Sequence, residues 1–531
     1  RSDLADGRPA MTRVEPARTD RQDREEADPR RWAILAVLNL SLIIIVAGNS
    51  SLNVALPTLV RDLHASNSDL EWMVDAYSLV FAGLVLPMGA LGDRFGRKGL
   101  LQGGLFIFAA GSLTASLATQ PWHVIAMRGV MGVGAAMIMP ATLSIVTNVF
   151  PPHERSKAIA IWAGFAGAGI SLGPLASGFL LDHFWFGSVF LVNVPIIAVA
   201  LVAGAVLLPT SLDPSRPPLD PVGALLSVVG LGALLYAIIQ APERGWTDPL
   251  IVSGFCFAAV ALGAFVLWEK ASDHPMLPIE QFGDRRFTAG SASIALTFFA
   301  MFGLFFIATQ YLQFVLGYTP FRAGLALLPM AAMMLIAAPN SASLAERGGR
   351  NRVVAAGLLC ISGGMVVMAT LSATSSYAHV AVALVLFGIG LGLATAPATG
   401  AIMESMPLGK AGVGSAVNDT TREVGGSLGV AALGSLLATR YRHHLDPHLR
   451  GVPRPVAEAA RRSLGSALGV ARGEPGLALA ARHAFVDGMF AVFLAAAALA
   501  IATAVAVSVG LPGRQQSSSD ADPPVSVPDH P

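Results

Sequence analysis

The stretch GSAVNDTTREVGGSLG, Gly414 to Gly429, sets Ser415, Asp419, Arg422, Glu423 and Gly426 at i, i+4, i+7, i+8 and i+11. That spacing lines one face of a helix. Two carboxylates and one guanidinium on a shared face can hold and release a proton, because Arg422 offsets one acid and leaves the other to exchange. The same three side chains would also serve as a closed network tying helices together. Asp75, in EWMVDAYSL, and Arg128, in VIAMRGV, each lie about one turn into an apolar run. They are read as a pair at similar depth, against the alternatives of a helix N-terminal acid and a structural pin. Asn49 and Asn53, one turn apart, either line the same cavity or bond to neighbouring helices. Phe298, Phe299, Phe302, Phe305 and Phe306 offer either a stacking surface for a planar molecule or ordinary apolar packing.

The elements that must position these groups are transmembrane helices. Of 531 residues, 54% are hydrophobic and 13% charged, about half the charged share of a soluble domain. Fourteen apolar runs are long enough to cross roughly 30 Å of hydrocarbon. They start near Trp32, Trp72, Leu100, Val124, Ile159, Ser188, Pro221, Pro249, Thr288, Ala323, Val353, Val380, Val413 and Phe485. The expected fold is an all-α membrane protein. A polar tail precedes the first run without a cleavable leader pattern, so the first run is read as a retained helix, with Met11 a candidate start. Ionisable groups at membrane depth cost on the order of 2.5–3.5 kcal/mol and therefore tend to face a cavity or a partner. Counted inward along the thirteenth run, Glu423 falls near the midplane.

The net charge of +1 gives no field for nucleic acid. Cys256 and Cys360 lie in apolar runs, which leaves no role for a disulfide framework. No Gly-x-Ser-x-Gly elbow, phosphate-cradling loop with Lys, or Cys/His pair at metal spacing survives scrutiny, so neither an enzyme, a metal site nor a cofactor is expected. With the N-terminus cytoplasmic, the inner loops collect most of the Lys and Arg, among them Arg94, Arg97, Lys98, Arg155, Arg216, Arg347, Arg350 and Lys410. The Arg-rich stretch from Arg440 to Arg482 falls outside and is the exception. Part of it, VAEAARRSLGSALGVA from Val456, reads as an amphipathic helix.

One charged loop occurs twice. LGDRFGRK at Leu91 aligns with LAERGGRN at Leu344, matching Asp93 to Glu346, Arg94 to Arg347, Gly96 to Gly349 and Arg97 to Arg350. Repetition once per half is a feature of many secondary transporters. An acid with several bases in both copies predicts a polar latch between two bundles, formed by Gly89, Asp93, Arg94, Gly96, Arg97 and Lys98 with Glu346, Arg347 and Arg350. A positive-inside anchor in a tight turn would explain the bases alone.

GALGDRFGRKGLL, from Gly89, resembles the loop signature of the major facilitator superfamily. VIAMRGVMGVGAAMIMPATLSI from Val124 resembles its fourth-span signature. GISLGPLASGFL from Gly169, with Gly173, Pro174 and Gly178, resembles the fifth-span signature of antiporters. LNVALP at Leu52 and LVNVPI at Leu191 are similar to pieces of the fourteen-span drug:proton antiporters. The resemblance implies two six-helix bundles with a two-helix insert. Residues 1–31 would form a cytoplasmic tail, 32–208 the first bundle and 209–287 the insert and linker. Residues 288–510 would form the second bundle, with an external connector 440–483, and 511–531 a cytoplasmic tail. It further implies proton-coupled efflux of amphipathic small molecules across the cell membrane by alternating access, as a monomer. A dedicated exporter of one metabolite and a non-transporting sensor are the alternatives. Two departures matter: Gly48 stands where that branch commonly has an Asp, and Met131 where a Gln is usual. Proton coupling then falls on Glu423, Asp419 and Asp75, in that order, with Arg128 and Arg422 as partners.

Overall fold

The computed structural model describes residues 28–211, 218–471 and 475–511, apart from the side chains of residues 53, 56, 57, 61, 67, 68, 171 and 475. Most of the N-terminal tail, Arg216 and nearly all of the C-terminal tail therefore lie outside the described residues. Helices α1 (Arg31–Leu63), α2 (Asn67–Phe95), α3 (Arg97–Ser116), α4 (Pro121–Val149) and α5 (Pro152–His183) lead to a broken pair, α6 (Ser188–Leu191) and α7 (Asn193–Leu207). The insert is α8 (Pro221–Arg244) and α9 (Pro249–Ala271). The second bundle comprises α10 (Arg285–Gln310), α11 (Pro320–Gly348), α12 (Arg350–Ala369), α13 (Tyr377–Ser405) and α14 (Ala411–Leu445). Two short helices, α15 (Arg454–Arg462) and α16 (Leu464–Val470), precede the last, α17 (Pro475–Gly510).

Thirteen spans among the described residues are long and apolar enough to cross a membrane. The remaining expected span, α14, is 35 residues long but carries Asp419, Arg422 and Glu423 mid-length and a basic C-terminal end. It is too polar for lipid, and α2, α4, α10 and α17 pack around it. The two bundles meet where α5 runs along α11 and where α14 lies against α2 and α4. The insert leans on this second seam, with α8 against both α2 and α14. The expected amphipathic helix of the connector is two helices, broken at extended Ser463, whose hydroxyl caps the second.

Local chemistry explains the helix ends. Ser66 and Asp69 cap each other reciprocally and start α2. Gly96 and Gly349, matched in the repeated loop, occupy φ +112° and +91°. Each donates its backbone N–H to the carbonyl four residues back, Gly92 and Ala345. Only glycine adopts that backbone without strain, so both copies of the loop turn in the same way.

Candidate functional site

The polar face of α14 sits in the seam between the bundles. Asp419 is buried, with 1% of its surface exposed. Its Oδ1 accepts long contacts from Asn418 Nδ2 and Arg422 Nη1, both at 3.5 Å, while Oδ2 has no partner among the described residues. Glu423, one turn further along and half-buried, lies beside the Ser78 hydroxyl of α2. The Arg422 guanidinium lies 4.4 Å from the Phe298 ring centroid of α10 and 5.4 Å from that of Trp162 on α5. Trp162 is oriented by its Nε1 donating to Thr142 Oγ1 at 3.1 Å. Arg422 thus rests between one aromatic ring from each bundle, a contact worth on the order of 0.5–2 kcal/mol. With its charge drawn onto the rings, Asp419 keeps an open oxygen.

Asp75 and Arg128 do not pair. Arg128 is fully buried, donates from Nε to the Met73 carbonyl at 2.8 Å and from Nη2 to Asn49 Oδ1 at 2.7 Å, and lies over the Tyr77 ring at 4.4 Å. Asp75 lies instead beside Gln240 of α8. The reason is helical phase: at 100° per residue, position 75 points about 200° away from position 73. Asn49 is held by Arg128, and the Asn53 side chain lies outside the described residues.

At the end of the bundle carrying the Leu91–Lys98 loop, the first bundle grips the start of α14. Asp93 Oδ1 accepts the Gly412 N–H at 2.9 Å and Oδ2 the Val413 N–H at 3.1 Å. No side chain of α14 caps its own N-terminus. A carboxylate there satisfies orphan N–H groups and meets the positive end of the helix dipole. Arg97 binds Asp93 at 2.6 Å and donates to the Leu408 and Gly409 carbonyls at 2.9 and 3.1 Å. A Cβ on Gly89 would overlap the Gly412 carbonyl oxygen and Ala416 Cβ, so glycine permits the close crossing of α2 and α14. Lys98 turns away and donates to Ala205 and Leu208 carbonyls at the end of α7, within its own bundle. Arg94 lies beside Phe95, 5.3 Å from its ring centroid.

Among the described residues, the charges of the second copy of the loop make no ion pair across the bundles. Glu346 and Arg347 are exposed, and Arg350 donates to both oxygens of Glu404 on α13, at 2.7 and 2.8 Å, inside its own bundle. The glycines of α5 serve packing. Gly169 and Gly173 abut Val46, Ala47 and Ser50 of α1, Gly178 abuts Phe321 of α11, and Pro174 lies buried between them. A side chain at Gly48 would face Asn193 and Phe108, away from the Asp419 face.

The Major Facilitator Superfamily profile matches residues 38–430. The chain belongs to the major facilitator superfamily. It is a multi-pass membrane transporter for small molecules and not an enzyme. The transporter is 36% identical over 476 residues to the multidrug efflux pump LfrA of Mycolicibacterium smegmatis, spanning 88% of this chain and 94% of that one. It is 32% identical over 414 residues to the tetracenomycin C resistance and export protein of Streptomyces glaucescens, 77% of each chain. The methyl viologen resistance protein SmvA of Salmonella typhimurium is 32% identical over 463 residues, 86% of this chain and 93% of that one. Two solved structures share the fold. They are the human organic anion transporter MFSD10 (TM-score 0.57, 14% identity, 89% of this chain and 100% of that one) and the proton:xylose symporter XylE (TM-score 0.56, 12% identity, 89% and 94%).

Sequence reasoning missed Tyr77, Ser78, Trp162 and Gln240. Each lies in an unremarkable part of an apolar run, and its role comes from a partner on another helix.

Proposed function

We propose that this transporter exports amphipathic small molecules, drugs and antibiotics among them, in exchange for protons, by alternating access across the cell membrane. One observation carries the reading: Asp419, Arg422 and Glu423 occupy a seam that both bundles line, with Trp162 of one bundle and Phe298 of the other both packed on Arg422. A group that touches both bundles feels every change in their relative tilt. The relatives named for efflux of, or resistance to, chemically unlike compounds support a broad substrate range.

Glu423 is the principal proton carrier, with Asp419 beneath it and Arg422 as the charge that moves between acid and rings. A cationic substrate and a proton then compete for the same oxygens, which by itself yields antiport. A membrane potential contributes about 2.3 kcal/mol per charge per 100 mV, roughly fifty-fold accumulation for one proton per neutral molecule. Asp93 and Arg97 form the latch that closes one mouth. That mouth is cytoplasmic, as are both termini, because the loops on its side hold the excess of Lys and Arg. The chain divides into bundles 32–208 and 288–510 with the insert and linker 209–287 between them. Vesicles carrying Glu423→Gln are expected to insert normally yet lose proton-driven efflux, with Asp419→Asn milder. Full substrate-induced proton release from Glu423→Gln vesicles would overturn the assignment.

A further inference from the structure

With one mouth closed by Asp93 and Arg97, Glu423 must exchange its proton with the opposite side, and the insert stands on that route. Along α2, Glu71, Asp75 and Ser78 lie at i, i+4 and i+7 and share a face. On α8, Gln240 and Glu243 lie one turn apart. Glu71 and Glu243 face each other where α8 packs on α2. Asp75 lies beside Gln240, and Ser78 beside Glu423. Exposure falls along the same line: Glu243 is exposed, Glu71, Asp75 and Glu423 are half-buried, and Asp419 is buried, its Oδ2 without a partner among the described residues. The axial steps on α2 are about 6 and 4.5 Å, within reach of a carboxyl arm and one water.

We propose that protons reach Glu423 along this carboxyl ladder at the seam of α2, α8 and α14. The ladder is entered at the Glu71–Glu243 pair, and Gln240 of the insert is the positioning residue that holds Asp75 in line. The inference rests on Glu423 as the coupling site. Bulk water protonates the outer pair, which passes a proton to Asp75. Asp75 gives it to the Ser78 oxygen as that hydroxyl releases its own proton to Glu423, so each donor is restored and one proton has moved. The other charged groups at the seam are Arg244, exposed beside Glu243 on α8, Arg422 on α14 held by its rings, and Arg128 on α4 turned to Asn49. Of the three, Arg422 meets the acids only at the inner end, where its Nη1 lies 3.5 Å from Asp419 Oδ1. The two helices added to the twelve thereby have a task, since α8 supplies one wall of the proton route.

The test uses the full transporter in proteoliposomes, with a compound the wild type exports as cargo. Variants are Gln240→Leu, Gln240→Asn and the double Glu71→Gln/Glu243→Gln. Gradient-free exchange of cargo should stay within about twofold of wild type, which reports folding and cargo binding. Gradient-driven efflux should fall at least tenfold in Gln240→Leu and in the double variant. Its dependence on pH at the face opposite the latch should flatten, and Gln240→Asn should recover part of the rate. Unchanged pH profiles in both, alongside an uncoupled Glu423→Gln, would overturn the ladder and leave the coupling site standing. A fully coupled Glu423→Gln would sink both.

Discussion

The two copies of the charged loop share a backbone and differ in what they hold. At Gly96 and Gly349 the chain turns through the same positive φ, and Arg97 and Arg350 each open the next helix. Yet Asp93 and Arg97 are buried on the start of α14, across the bundle boundary, while Glu346 faces solvent and Arg350 returns to Glu404. The difference lies in the receiving helix. The first N–H groups of α14, at Gly412 and Val413, have no acceptor within their own helix, which has no side-chain cap of its own, and Asp93 takes both. α5, the first-bundle helix that runs along α11, begins on Pro151 and Pro152 and already carries Glu154 in its first turn. Proline offers no N–H, and Glu154 is engaged by Arg31 at 2.6 Å. An acid on a loop becomes a clasp only where a helix start is left uncapped for it.

The largest effect should come from Asp93→Asn. Removing one partner of a buried ion pair costs about 3–5 kcal/mol, here charged to the closed mouth. The shift reads out as faster labelling of a cysteine placed at Val413. Labelling at the wild-type rate with transport lost would break the comparison. Gly412→Ala comes next, because its Cβ would overlap the Gly89 carbonyl and Asp93. Overpacking of this kind costs about 1–3 kcal/mol and should speed the same labelling. Replacing either turn glycine by alanine should cost about 1–2 kcal/mol, and thermal unfolding should report similar losses for Gly96→Ala and Gly349→Ala. A large loss in only one would mean that the two turns are not equivalent. Arg350→Gln should lower thermal stability by about 1 kcal/mol or less without altering labelling at Val413, because its ion pair stays within one bundle. Glu346→Gln should leave both readouts unchanged, and any rise in labelling would reveal a second clasp.

A similar division separates the polar face of α14 from the pair expected at Asp75 and Arg128. Asp419, Arg422 and Glu423 were legible because they lie within five residues on one helix, where a fixed period decides which side chains share a face. Asp75 and Arg128 stand on different helices, and equal depth says nothing about rotation. The rotation of α2 gives Met73 and Tyr77 to Arg128 and Asp75 to Gln240.

From the residues alone follow the helices, the two glycine turns, the polar face of α14 and the membership suggested by the loop motif. All of these depend on contacts within a few residues, because a backbone in lipid must satisfy its hydrogen bonds inside its own helix. Tertiary structure decided every partner: Arg128 with Asn49 at a separation of 79 residues, Arg350 with Glu404 at 54, Arg97 with Leu408 at 311. Those choices depend on how one helix is rotated and slid against another, and small residues such as Gly89 and Gly412, which allow many registers, settle on one only when the whole bundle packs.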